Sequence, residues 1–130
     1  MPVGGPYELP LEAVPASVRT ARQFFVQVAQ DLALDSERVA LGEVIVSELV
    51  ANAVVHAAAG PIVLRAVPAG QHIISIEVTD PSPELPIAHP ADRKRPTAHG
   101  LSVVAGIAAV WGTERHPGDG KTVWAVLPTV

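Results

Sequence analysis

Apolar residues recur along the chain with two different periods, and the change between them separates helices from strands. From residue 18 to 32, Val18, Ala21, Phe24, Phe25, Val28 and Leu32 share one face of a 3.6-residue period, with Arg19, Arg22, Gln23 and Gln30 on the wet side. Ser17 precedes them with the side chain of an N-cap. A second helix is predicted from Asp35 or Ser36 to about Ala58, where Gly60-Pro61 stops it. Beyond that stop the period shortens to two. Residues 62–67 and 73–79 are β-rich, and Pro68-Ala69-Gly70-Gln71 between them has turn chemistry, so a hairpin is expected.

Residues 81–98 form a loop with prolines at 81, 83, 86, 90 and 96 and the basic triplet Arg93-Lys94-Arg95. A loop of that length in a small domain goes with function or with disorder. Residues 100–110 read as a short apolar helix. Residues 111–115 and 121–127 read as strands joined by a turn over 116–120. Ahead of all this, residues 1–14 are an irregular, proline-rich arm, with an edge strand allowed around 7–11 because proline is tolerated at sheet edges. The order helix, helix, strand, strand, loop, helix, strand, strand predicts one domain over 15–130. Its expected class is an α/β two-layer sandwich: a mixed, mostly antiparallel sheet with helices on one face.

The second helix carries two polar stripes. Ser36, Glu43 and Ser47 fall together on the natural solvent side. Glu48, Asn52 and His56, spaced i, i+4 and i+8, fall on another stripe surrounded by Leu41, Ile45, Leu49 and Val55. Burying a carboxylate, an amide and an imidazole requires partners for each. A hydrogen-bonded core network would supply them, and so would a ligand site between helix and sheet. In the second case the Asn52 amide oxygen suits a hard cation such as Mg²⁺, and Glu48 is placed to take a proton from a hydroxyl or water.

The strand over 73–79 points to a further carboxylate. Its alternation puts Ile74, Ile76 and Val78 on one face, and Asp80 falls in phase with them, aimed at the core. An aspartate before proline is commonly a turn residue. The inward phase also allows it to accept a hydrogen bond from a buried amino group such as that of adenine.

Composition narrows the possibilities without choosing among them. In 130 residues the hydrophobic share is 48%, the charged share is 17%, and the formal net charge is −4. Such a chain can build a core and offers no basic footprint for nucleic acid. Cysteine is absent, which excludes disulfides and thiolate metal sites. No basic-then-apolar leader opens the chain, and no apolar run is read as approaching the roughly 18 residues that span a bilayer, so a cytoplasmic protein without membrane contact is expected. The five histidines, at 56, 72, 89, 99 and 116, show no metal-binding spacing. The string Gly118-Asp119-Gly120-Lys121-Thr122 is not a P-loop: Arg115 stands where that motif needs glycine, and a strand follows instead of a helix.

Glu48-Leu49-Val50-Ala51-Asn52-Ala53-Val54-Val55-His56 resembles the N-box helix of Bergerat-fold (histidine-kinase-like) ATPases, and is closest to that of the bacterial anti-sigma-factor serine/threonine-protein kinases. Val78-Thr79-Asp80 looks like the start of their first glycine box, Ala98-His99-Gly100-Leu101 like the second, and Gly120-Lys121-Thr122 like the closing segment. The resemblance implies ATP and Mg²⁺ as cofactors. Asn52 would ligate the metal, Glu48 would activate a serine hydroxyl, and His56 would lie beside the nucleotide on the same stripe. Asp80 and Thr122 would read adenine, Gly100 and Leu101 would face the phosphates at a helix start, and residues 81–98 would be a lid. It further implies a sigma factor and an anti-anti-sigma-like antagonist as protein partners, and a homodimer. The chain departs from the pattern at Ser82, Glu84 and Ala98, where glycines are usual. Those glycines permit close backbone approach, so a non-catalytic docking module, with or without nucleotide, is the alternative.

Overall fold

The computed structural model describes residues 6–56, 60–70, 73–82, 103–117 and 120–127. Strand β1 (Tyr7–Leu11) leads into helices α1 (Ser17–Asp31) and α2 (Ser36–His56), then into the hairpin β2 (Ile62–Pro68) and β3 (Ile74–Asp80), and lastly into β4 (Val110–Arg115) and β5 (Lys121–Leu127). The strands form one sheet in the order β1-β2-β3-β5-β4, and each pairing among them is antiparallel. The expected two-layer α/β sandwich is thus the observed architecture. The proline-bearing β1 is indeed an edge strand.

One face of the sheet is apolar because alternation puts Ile62, Leu64 and Ala66 of β2, Ile74, Ile76 and Val78 of β3, and Val123, Ala125 and Leu127 of β5 on the same side. Both helices cover that inner face, α1 over β1 and β2, α2 over β2, β3 and β5. Phe25 lies against α2 at Gly42, where any Cβ would run into its ring. That close approach lets a buried aromatic fill the space between the helices.

Local chemistry sets the boundaries. Asp35 Oδ1 accepts the Arg38 N–H at 2.7 Å, so Asp35 caps α2. Ser17 is not the cap of α1. Ala16 holds that place, and the buried Ser17 hydroxyl donates back to the Glu12 carbonyl at 2.7 Å. It ties the β1–α1 connection instead of satisfying a helical N–H. At the other end of α1, Ala33 adopts φ 55° while Leu34 N–H bonds the Ala29 carbonyl at 3.0 Å, a Schellman closure. Gly70 (φ 115°) turns the β2–β3 hairpin.

Two further expectations change. The helix read over 100–110 is helical at 103–107, with 100–102 outside the described residues, and Val110 already belongs to β4. The membrane expectation also changes. By length and composition α2, with mean hydropathy 1.5, is apolar enough to cross a bilayer. Its apolar residues have a use within the fold, because Ile45, Val46, Leu49, Val50 and Ala53 are buried in the core.

Candidate functional site

The last inner-face rung of the β3–β5 ladder departs from the rest. Alternation carries Asp80 inward, as the sequence phase required, and the register sets it opposite Lys121. The two side chains are 1% and 0% exposed, and Lys121 Nζ stands 3.0 Å from Asp80 Oδ1. The same oxygen accepts the Ser82 N–H at 2.8 Å, and the Ser82 carbonyl lies 3.5 Å from Nζ. The other carboxylate oxygen, Oδ2, is buried and has no hydrogen-bond partner among the described residues. A charge pair taken out of water is stable only when well hydrogen-bonded, so a vacant buried oxygen marks an acceptor with room for a donor.

Gly120 makes this rung possible. It has φ 77°, and a Cβ there would collide with the Asp80 carbonyl oxygen, so only glycine lets β5 start this close to the end of β3.

Helix α2 brings the second element. Asn52 is 2% exposed, and its buried Nδ2 has no hydrogen-bond partner among the described residues. A carboxamide turned over would present oxygen at that place. Glu48 and His56, one turn before and after, are half-buried. The stripe therefore runs along one flank of the buried arc of α2, deepest at Asn52. Val55, expected beside it, is 63% exposed and lies on the outer side. Gly60, ahead of β2, lies at the Asp80 end of the sheet, because a Cβ on it would sit 3.2 Å from the Pro81 ring. Asn52 and Asp80 thus both face the layer between α2 and the sheet, each with one buried polar atom left over.

The opposite stripe is less open to water than its polarity implied. Glu43 and Ser47 are half-buried: the Ser47 hydroxyl donates to the Glu43 carbonyl at 2.7 Å and lies 3.4 Å from Arg22 Nη1. Glu48 also borders an open groove of about 450 Å³, together with Arg22, Val44 and Ser47, on the outside of the helix layer.

Thr122 is not brought together with the Asp80 carboxylate. It pairs with Thr79 on the outer face of the sheet, where its hydroxyl lies 2.7 Å from Thr79 Oγ1 and 2.7 Å from His116 Nε2. Gly100, Leu101 and residues 83–98 of the expected lid lie outside the described residues. Sequence reasoning gave Lys121 no role at the site, although it opened the 121–127 strand and lay within the closing segment Gly120-Lys121-Thr122. The signal was available in its phase: Lys121, Val123, Ala125 and Leu127 alternate onto one face.

These residues fit a nucleotide with Mg²⁺ in kind. A buried acceptor can take a donor such as an amino group, and one amide oxygen can serve a cation that takes its remaining ligands from phosphate and water. Among the described residues no group of three His, Cys, Asp or Glu side chains could hold a metal by itself. An ion carried in by phosphate does not need such a group.

A family model described as the histidine kinase-like ATPase domain matches residues 11–127. Among solved structures, the RsbU and RsbW domains of Rv1364c from Mycobacterium tuberculosis match with a TM-score of 0.73 at 21% identity, over 97% of this chain and 32% of that one. The chain therefore spans about a third of that relative, and at this identity the likeness concerns the fold. None of the curated proteins matches. Because the family match runs through nearly every described element from Leu11 to Leu127, the chain belongs to the histidine kinase-like ATPase domain family.

Proposed function

We propose that the chain binds ATP with Mg²⁺ between α2 and the sheet, and acts as an anti-sigma-factor-like serine-protein kinase. It would sequester a sigma factor and phosphorylate an anti-anti-sigma-like antagonist, as a cytoplasmic regulator. The observation that carries the reading is the pair of buried polar atoms, Asn52 Nδ2 and Asp80 Oδ2, that have no partner among the described residues and face one layer in a chain of this family. A folded protein keeps few such atoms, each costing on the order of 1–3 kcal/mol, so two in one layer favour a ligand over a finished core network. The solved relative that carries an RsbW domain supports the anti-sigma setting by likeness of fold.

In this reading Asn52 supplies an oxygen to Mg²⁺, whose chemistry is to draw charge off the phosphates. The Asp80 Oδ2 accepts the base amino group, and His56 borders the nucleotide on the same stripe. Gly100 and Leu101 would offer backbone N–H groups to phosphate, as the first residues of a helix can. Glu48, half-buried one turn before Asn52, takes the proton of a serine hydroxyl as that oxygen bonds the terminal phosphorus and ADP leaves. Thr122 then supports the base end from the opposite face, by fixing Thr79 and His116. A homodimer belongs to the same proposal.

Incubation with labelled ATP, Mg²⁺ and a candidate antagonist should yield phosphoserine, and Glu48→Ala should abolish it while nucleotide still binds. Nucleotide binding without phosphoserine from the wild-type chain would remove the kinase claim. A second reading, a non-catalytic docking module, has one observation in its favour: Glu48 borders the outer groove beside Arg22 and Val44. In that case Glu48→Ala should leave partner binding intact in a protein that never phosphorylates.

A further inference from the structure

We propose that Lys121 is a base-reading residue: its ammonium and the vacant Oδ2 of Asp80 together form one donor–acceptor edge that selects adenine. The inference rests on the nucleotide-binding reading above and adds to it a residue that the ladder places opposite Asp80. The ammonium carries three N–H groups. One is directed to Asp80 Oδ1 at 3.0 Å and a second reaches the Ser82 carbonyl at 3.5 Å, so one remains for an acceptor. Beside it, Oδ2 has no donor among the described residues. Both side chains are almost wholly buried, where an unfilled donor next to an unfilled acceptor is costly and therefore selective.

Adenine presents the complement of this edge, an amino N–H next to the N1 acceptor. The amino group would meet Asp80 Oδ2, and N1 would meet Lys121 Nζ. Guanine offers its ring N–H and 2-amino group side by side, which calls for both oxygens of a carboxylate. Oδ1 is already engaged by Lys121 and by the Ser82 N–H, so guanine would leave a donor unsatisfied. The ion pair also explains how a lysine comes to lie on the inner face among aliphatics: the carboxylate balances its charge, and the remaining N–H is held in place for a ligand.

The test is calorimetric titration of the wild-type chain, in Mg²⁺, with ATP, GTP, 1-deaza-ATP (N1 replaced by C–H) and 7-deaza-ATP. Loss of a hydrogen bond to a buried charged group should weaken 1-deaza-ATP by roughly tenfold or more, and GTP by a similar factor. By contrast, 7-deaza-ATP, altered away from that edge, should bind like ATP. Lys121→Met, checked for folding by circular dichroism, should bind ATP and 1-deaza-ATP alike. Equal affinity of the wild-type chain for ATP and 1-deaza-ATP would overturn the role of Lys121 while leaving nucleotide binding intact. A discrimination that persists in folded Lys121→Met would overturn it too. Failure of every analogue to bind would remove the nucleotide reading and this inference with it.

Discussion

On the inner face of the β3–β5 ladder, Ile74 meets Leu127, Ile76 meets Ala125 and Val78 meets Val123, whereas the next rung sets Asp80 against Lys121. The backbone geometry is the same along all four rungs, and so is the burial. The first three rungs bury aliphatic surface, which stabilises without specifying a partner. The fourth takes two charges out of water and leaves one oxygen unbonded. A rung that served stability alone would do better with another aliphatic pair, since such replacements of buried ion pairs are often neutral or stabilising. Under the proposed function, the first three rungs serve the fold and the last serves a ligand.

Substitutions on the two kinds of rung should behave differently. The largest effect is expected from Lys121→Met, which leaves the Asp80 carboxylate buried and uncompensated; urea unfolding should show a loss of about 3–5 kcal/mol. Adding Asp80→Asn to that variant should restore most of the loss, since no charge is then left unpaired. A single variant as stable as the wild type would mean that the rung is hydrated in solution. Next comes Ile76→Ala, with a loss of about 2–5 kcal/mol from lost burial and a cavity, and with nucleotide affinity unchanged where folded protein remains. If Ile76→Ala weakened ligand binding as much as the doubly substituted rung does, the division between fold and ligand would be wrong.

What the sequence disclosed followed from local periodicity. The two helices, the β2–β3 hairpin and β5 were all legible, because each writes its own period and its own stop, such as Asp35 before α2 or Gly60 after it. The inward aim of Asp80 was legible for the same reason. The partner of Asp80 was not, because β5 lies next to β3 only through pairing between segments about forty residues apart, a contact no local pattern encodes. For the same reason Thr122 could be matched to a motif without its face being known. One residue of phase separates it from Lys121, and that residue sends its hydroxyl to Thr79 and His116 on the outer side. Val55 shows the limit of a helical wheel: the wheel gives neighbours around the axis, while the sheet decides which arc is covered.

The central claim is that a nucleotide sits between α2 and the charged end of the ladder, and thermal unfolding with and without Mg–ATP tests it most directly. At about 100 times the dissociation constant the wild-type chain should gain roughly 2.7 kcal/mol, a rise of roughly 10 °C for a domain of this size. Asp80→Asn with Lys121→Met should lose most of that gain while unfolding cooperatively on its own. An unchanged melting temperature for the wild-type chain at saturating Mg–ATP, or an equal rise in the doubly substituted protein, would contradict the account.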